Sequence, residues 1–256
     1  MTILCYHSVD PTWRSPLAVT PAVFAEHCAW LTRKRSVLPL DRAVQRLDAS
    51  CRLPRGISAL TFDDGFAEVY EHALPVLARH VLPATVFVVA ETLTAQGRAV
   101  DWVDTPPTYP LRTLTLDQLL EMQDAGVAIG SHSYAHHDLT TLGERECVAD
   151  LAMSRELLED LTGRPVPFLA YPRGRHNDVV RRASRRAGYT HAFTLPETSE
   201  PVGPDCVPRA GVYPGNGVRS LAVKSLRAYL PIRTSRAFPL LRRLAGGSAV
   251  STGAAG

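Results

Sequence analysis

The sequence predicts an α/β fold in which a mostly parallel sheet, open or closed into a barrel, is covered by helices. Three observations predict it. Short apolar runs alternate with helix-period segments up to about residue 194, several of those segments carry capping signals, and no repeat of fixed period is present. With 256 residues, the chain can form one large domain or two small ones around a substantial core. Hydrophobic residues at 45% and charged residues at 21% place it among globular proteins, away from disordered or collagen-like chains.

In chain order, the apolar runs predict strands over residues 2–6, 36–40, 57–62, 84–89, 127–131, 167–171 and 190–194. Helical periodicity predicts helices over 21–33, 41–47, 68–80, 115–124, 144–161 and 177–187. Thr20-Pro21 sets a cap residue before a proline at the first helical position, and Thr115-Leu116-Asp117-Gln118 matches a capping box. Gly126 and Gly188 fall where helix C-termini need a left-handed residue. From about Gly211 the patterning weakens, and residues 246–256 read as a disordered end.

The net charge of +3 is unevenly spread: no acidic residue follows Asp205, so residues 206–256 carry +8 and residues 1–205 carry −5. No apolar run reaches membrane-spanning length. Met1–His7 has neither a basic n-region nor a cleavage site, so it reads as a strand rather than a signal peptide. Five dispersed cysteines without a Cys-x-x-Cys pair argue against a disulfide framework and a thiolate zinc site. Together these predict a cytoplasmic location. The basic residues lack interleaved aromatics, so no nucleic-acid partner is expected.

Three constellations sit at predicted strand ends, where parallel sheets and barrels place their ligands. The first is Thr61-Phe62-Asp63-Asp64-Gly65. Adjacent carboxylates there call for a cation or a proton, although Asp-Asp-Gly is also ordinary turn chemistry. The second is Ser131-His132-Ser133-Tyr134-Ala135-His136-His137. If this segment makes one helical turn, His132 and His136 converge on a single ion. A lone His-x3-His is often surface chance, but two histidines plus a carboxylate form a common catalytic metal set. His137 reads as structural or supporting. The third, Phe168 to Gly174, contains a Pro-Arg-Gly turn able to present backbone N–H groups to an oxyanion, a weak signal by itself.

Taken in order, Thr-Phe-Asp-Asp-Gly, His-Ser-x-x-His and the Pro-x-Gly turn resemble the polysaccharide deacetylases (NodB-homology domain, carbohydrate esterase family 4) over about residues 1–212. The resemblance implies a distorted (β/α) barrel of about seven parallel strands, with residues 213–256 as a basic C-terminal extension. It implies a divalent metal, zinc foremost, bound by Asp64, His132 and His136, with Asp63 as general base. Tyr171, Pro172 and Arg173 become the expected oxyanion and substrate contacts. The implied activity is hydrolysis of the N-acetyl group of an amino sugar or glycan.

Two departures from the family pattern matter. The third motif usually begins with an arginine that contacts the catalytic aspartate; here that position is Ala170, and Arg209 is the expected substitute. The late Leu-x-His motif that supplies a general acid is also missing, since no histidine follows His191. Leu4-Cys5-Tyr6-His7-Ser8-Val9 resembles the Tyr-His motif of the poly-N-acetylglucosamine deacetylase branch, which assigns the acid role to His7; a core histidine is the plain alternative. O-deacetylation, a small-molecule amidase or deformylase, and an inactive carbohydrate-binding module remain open. For the basic tail, residues 221–230 and 237–244 read either as an interfacial helix making peripheral membrane contact or as a final helix packed on the barrel. Pro231 and Pro239 favour the second.

Overall fold

The computed structural model describes residues 1–50 and 54–238. Its strands are β1 (Thr2–Tyr6), β2 (Ser8–Val9), β3 (Ala18–Val19), β4 (Ser36–Val37), β5 (Ile57–Phe62), β6 (Thr85–Val88), β7 (Ala128–Ser131), β8 (Phe168–Ala170), β9 (His191–Thr194) and β10 (Val207–Gly211). Its helices are α1 (Pro21–Lys34), α2 (Leu40–Ser50), α3 (Leu74–His80), α4 (Leu116–Asp124), α5 (Glu144–Thr162), α6 (Asp178–Arg186), α7 (Val218–Lys224) and α8 (Tyr229–Arg233).

Seven strands, β1 and β5 to β10, pair in parallel and close into a barrel because β1 pairs with both β5 and β10. The expected seven-stranded barrel is therefore present, with one exchange of membership. The predicted strand at 36–40 shrinks to β4, which flanks β5 beside β6 outside the ring. Its place is taken by β10, which no periodicity announced. Val-Pro-Arg-Ala-Gly combines a proline and a glycine, both depleted in strands, with a charge that breaks the apolar run.

The period of two along each strand sorts the core. Ile3, Ala59, Phe87, Phe168, Ala170, Phe193 and Val207 fill the barrel, and α2 closes one end with Leu40, Ala43, Val44 and Leu47. Their neighbours Leu4, Leu60, Val86, Val88, Leu169 and Ala210 face outward onto Phe24, Leu31, Leu77, Leu119, Leu151 and Val180 of the surrounding helices. Burial of both faces explains why these strands are continuous apolar runs rather than alternating ones.

The capping signals act as expected. Thr20 accepts a hydrogen bond from the Val23 amide, and Thr115 and Gln118 form the reciprocal box at the start of α4. The predicted helix at 68–80 is split: a π-helical turn over Val69–Ala73 precedes α3. Pro75 has no N–H to continue the α-helical ladder, and a wider turn absorbs the break.

Beyond β10, α7 packs on α1, and the buried Lys224 donates a 2.6 Å hydrogen bond to the Gly211 carbonyl. The stretch 221–230 is divided between α7 and α8 rather than forming one helix. Residues 239–256, which include the expected disordered end and most of the 237–244 stretch, lie outside the described residues. Among the described residues no helix is long and apolar enough to cross a membrane.

The barrel interior has no slack at β7. A Cβ added at Gly130 would lie 2.5 Å from ring carbons of Phe87, which itself packs against Phe193 with ring centroids 5.6 Å apart. Gly130→Ala is expected to lower unfolding stability by about 1–3 kcal/mol in a denaturant titration. An unchanged midpoint would show that the interior relaxes freely.

Candidate metal centre and its carboxylate neighbour

All the motif residues gather at the C-terminal mouth of the barrel. Asp63 and Asp64 follow β5, with the Asp63 amide bonded to the Tyr6 carbonyl at 2.9 Å. Asp64 then turns at φ 68° and Gly65 at φ 64°, a left-handed pair that sends the two adjacent carboxylates in different directions. Asp tolerates this region better than most residues because its short side chain bonds locally.

His132 leaves β7 with its amide still bonded to the Val88 carbonyl at 2.8 Å. The next residues make no helical turn, contrary to the geometry assumed for His-x3-His. Positive φ at Ser133 (67°) and His136 (56°) folds the loop back instead, and Ser133 Oγ accepts from the His136 amide at 3.0 Å. Local hydrogen bonds thus replace the helix as the means of convergence.

The outcome is a buried trio. Asp64 Oδ1 lies 3.5 Å from His132 Nε2 and 3.3 Å from His136 Nε2, with all three side chains nearly inaccessible. His132 Nδ1 is 2.8 Å from the Ala170 carbonyl, an acceptor only, so Nδ1 carries the proton and donates it. Burial lowers the His132 pKa to about 4, so the ring is neutral and its Nε2 presents a lone pair toward a carboxylate oxygen. Two electron-rich atoms facing each other in a dry site demand a cation between them, and a backbone carbonyl on the far nitrogen is the usual way a ligating imidazole is aimed. The donor set of one carboxylate and two imidazoles therefore fits a divalent metal.

Asp63 has a separate environment. Arg209, on β10, donates to its two oxygens at 2.6 and 2.7 Å, and both side chains are buried. Cys5 Sγ adds a third contact, 3.3 Å from Oδ2. Burial by itself raises the Asp63 pKa, but the charge and hydrogen bonds of the Arg209 guanidinium, together with smaller effects of His132 and His7, hold the carboxyl well below the usual range. The arginine absent at position 170 thus reaches the aspartate from another strand. His7, the next inward position after Ile3 and Cys5, joins Cys5 and Asp63 with ligand atoms within 4.8 Å of one another, and its Nδ1 is buried without a hydrogen-bond partner.

The Pro172–Gly174 turn carries Arg173 at φ 57°. The Gly174 and Arg175 amides bond to the Tyr171 and Pro172 carbonyls, outside which the Arg173 N–H remains. The Tyr171 side chain is turned away from the carboxylates: its hydroxyl donates to the Asp205 carbonyl at 3.0 Å and meets Ser184 Oγ at 3.2 Å.

Two neighbours escaped sequence reasoning. Trp102 donates its indole N–H to Asp64 Oδ1 at 3.1 Å and stacks on His136 with centroids 4.8 Å apart. Cys5 is the other. The signal for Trp102 was the long stretch 95–112 without helix or strand, since such loops in a packed domain are commonly functional.

Comparison with known proteins agrees with the geometry. A family model for polysaccharide deacetylases matches residues 52–192. YxkH of Bacillus subtilis is 27% identical over 202 residues, covering 76% of this chain and 64% of its own length. A poly-beta-1,6-N-acetyl-D-glucosamine N-deacetylase of Staphylococcus epidermidis is 26% identical over 197 residues, covering 73% of this chain and 64% of that protein. The chain therefore spans just under two thirds of the length of these relatives. Among solved structures, IcaB from Ammonifex degensii superposes with a TM-score of 0.73 at 26% identity, covering 88% of this chain and 96% of that one. A Streptococcus pyogenes deacetylase, PplD, solved with acetate, shares the fold at a TM-score of 0.76 and 24% identity, covering 88% and 98%. With its barrel shared and more than half its length matched by the family model, this chain belongs to the polysaccharide deacetylase family.

Proposed function

We propose that the protein is a metal-dependent deacetylase that removes the acetyl group from the nitrogen of an N-acetylated amino sugar or glycan. The observation that carries this reading is the buried Asp64–His132–His136 trio beside a second carboxylate held by its own arginine. The relatives named as N-deacetylases support the choice of an amide substrate.

Asp64, His132 and His136 would hold the ion, most reasonably zinc given two imidazoles and a carboxylate. Such an ion polarises a carbonyl and lowers the pKa of water toward about 7. The chain's own groups divide the remaining work. Asp63 takes the proton of the attacking water. Its Oδ2 already accepts from Arg209 and Cys5, whereas Oδ1 accepts from Arg209 Nη1 alone. An ionised carboxylate oxygen accepts two hydrogen bonds, so Oδ1 is the basic atom. The Arg173 N–H, left outside the hydrogen bonds of a turn shaped by Tyr171 and Pro172, is assigned to the developing oxyanion. His7, which lies within 4.8 Å of Asp63, protonates the departing amine, which cannot leave as an anion.

Four variants test this reading. Asp63→Asn is expected to keep its metal through dialysis while acetate release from N-acetylated oligosaccharides falls by about 10²–10⁴-fold. His132→Ala is expected to lose both metal and turnover. Full turnover of Asp63→Asn would refute the base assignment. His7→Ala should lose amide cleavage far more than aryl-acetate cleavage, because a phenolate leaves without acid help; equal losses would remove His7 as the acid. Finally, Arg209→Met strands a buried carboxylate, so unfolding stability should drop by about 3–5 kcal/mol, with much of it restored by adding Asp63→Asn. No recovery in the double variant would mean that the arginine acts through packing alone.

A further inference from the structure

The β9–β10 connection differs from every other crossover in the barrel. Each of the others carries at least one helix, from α1 and α2 between β1 and β5 to α6 between β8 and β9, whereas residues 195–206 carry none. Besides the contacts of Asp205 with Tyr171 and Arg185, a polar trio ties this connection to the wall. His176, following the Pro-Arg-Gly turn, has its Nε2 3.2 Å from Glu200 Oε2. Cys206 Sγ lies 3.4 Å from the same oxygen and 3.9 Å from His176 Nε2. The His176 side chain is 4% exposed and stacks on Tyr171, Cys206 is buried, and Glu200 keeps an edge at the surface.

We propose that His176, Glu200 and Cys206 form a second metal site that takes a borderline-soft divalent ion of the zinc kind and clamps the helix-free connection to the barrel. Bonds of about 2.0–2.3 Å to nitrogen, oxygen and sulfur put tetrahedral ligands about 3.3–3.7 Å apart, close to the separations seen. A thiolate with an imidazole excludes magnesium and calcium as the preferred ion. One carboxylate and one thiolate neutralise a dication, which suits a site that is mostly buried. The surface edge at Glu200 leaves room for water as a fourth ligand. The absence of Cys-x-x-Cys spacing hid the trio, because its members are 30 and 6 residues apart.

In the arrangement described, protons hold the three groups together. Arg181 Nη1 is 3.0 Å from His176 Nδ1 and can only donate, so Nε2 carries the imidazole proton and gives it to Glu200. Cys206 donates to the same oxygen, and burial pushes its thiol up to about 12. Binding shifts the imidazole proton to Nδ1, releases the Cys206 proton to solvent and leaves Arg181 with Asp178, its existing partner. One proton is released per ion bound, so affinity falls as pH falls.

The test is a Co²⁺ titration of the chelator-stripped full chain, read by absorption. Two ions per chain are expected, one of them giving a thiolate-to-cobalt charge-transfer band. Asp64→Asn should keep the band; Cys206→Ser should lose it and bind one ion fewer. Because a serine variant can lose stability, Glu200→Gln serves as a second probe, expected to weaken the band-forming site by at least about tenfold. A wild-type chain without the band, a band surviving Cys206→Ser, or an unweakened Glu200→Gln site each overturns the proposal. This site is independent of the deacetylase reading, since its signature is a thiolate that the Asp64–His132–His136 centre does not contain.

Discussion

The structure depends most on one buried ion pair, Arg209 with Asp63. A guanidinium inside a seven-stranded barrel is tolerable only when it is paired with an opposite charge and held by hydrogen bonds. Nη1 bonds Asp63 and Thr61, Nη2 bonds Asp63, and the guanidinium lies over the Phe87 ring at 5.4 Å. Since β10 and β5 flank β1 on opposite sides, the pair also ties together two strands that do not touch through their backbones. The same contact that braces the closed barrel therefore orients the carboxylate at its mouth.

From that constraint follows the different treatment of two adjacent aspartates. Identical in type and next to each other, they would repel if both faced one pocket. Positive φ at Asp64 separates them, and each then meets its own compensating group. Asp63 is neutralised within the protein by an arginine that never gives up its proton. Asp64 faces two imidazole nitrogens and an indole N–H, a set that orients the carboxylate without supplying a full positive charge. Only the second needs an ion from outside, which separates a candidate ligand from a candidate base.

The sequence was informative where chemistry and backbone period coincide locally. Thr61-Phe62-Asp63-Asp64-Gly65 and His132 to His136 each sit at the end of an apolar run, so their place at the barrel mouth could be read directly. Arg209 was harder, since its strand contains Pro208 and a residue type that normally marks the surface; only the partner 146 residues away makes it a core side chain. Ala170 looked like a defect in a motif. In the fold its carbonyl aims His132, and the missing cation comes from β10. Trp102 had no period to reveal it, because its loop is ordered by contacts with distant residues rather than by its own repeat. Convergence of the histidines through two left-handed residues was equally hidden, since positive φ is uncommon outside glycine and the loop contains no glycine to announce it.

The same logic revises the meaning of the basic C-terminal stretch. Summed along the sequence, residues 206–256 are a run of eight positive charges without an acidic neighbour. Among the described residues, two of them belong to the interior. Arg209 is cancelled by Asp63. Lys224 is buried against the Gly211 carbonyl and between the rings of Tyr213 and Tyr229, where burial lowers its pKa to about 8. Lys224 thus holds its charge at neutral pH by a narrow margin, while Arg209 holds its charge throughout. The positive field that a membrane or an acidic partner would meet comes from what remains after these two are subtracted, so charge counted along the chain overstates the charge displayed at the surface.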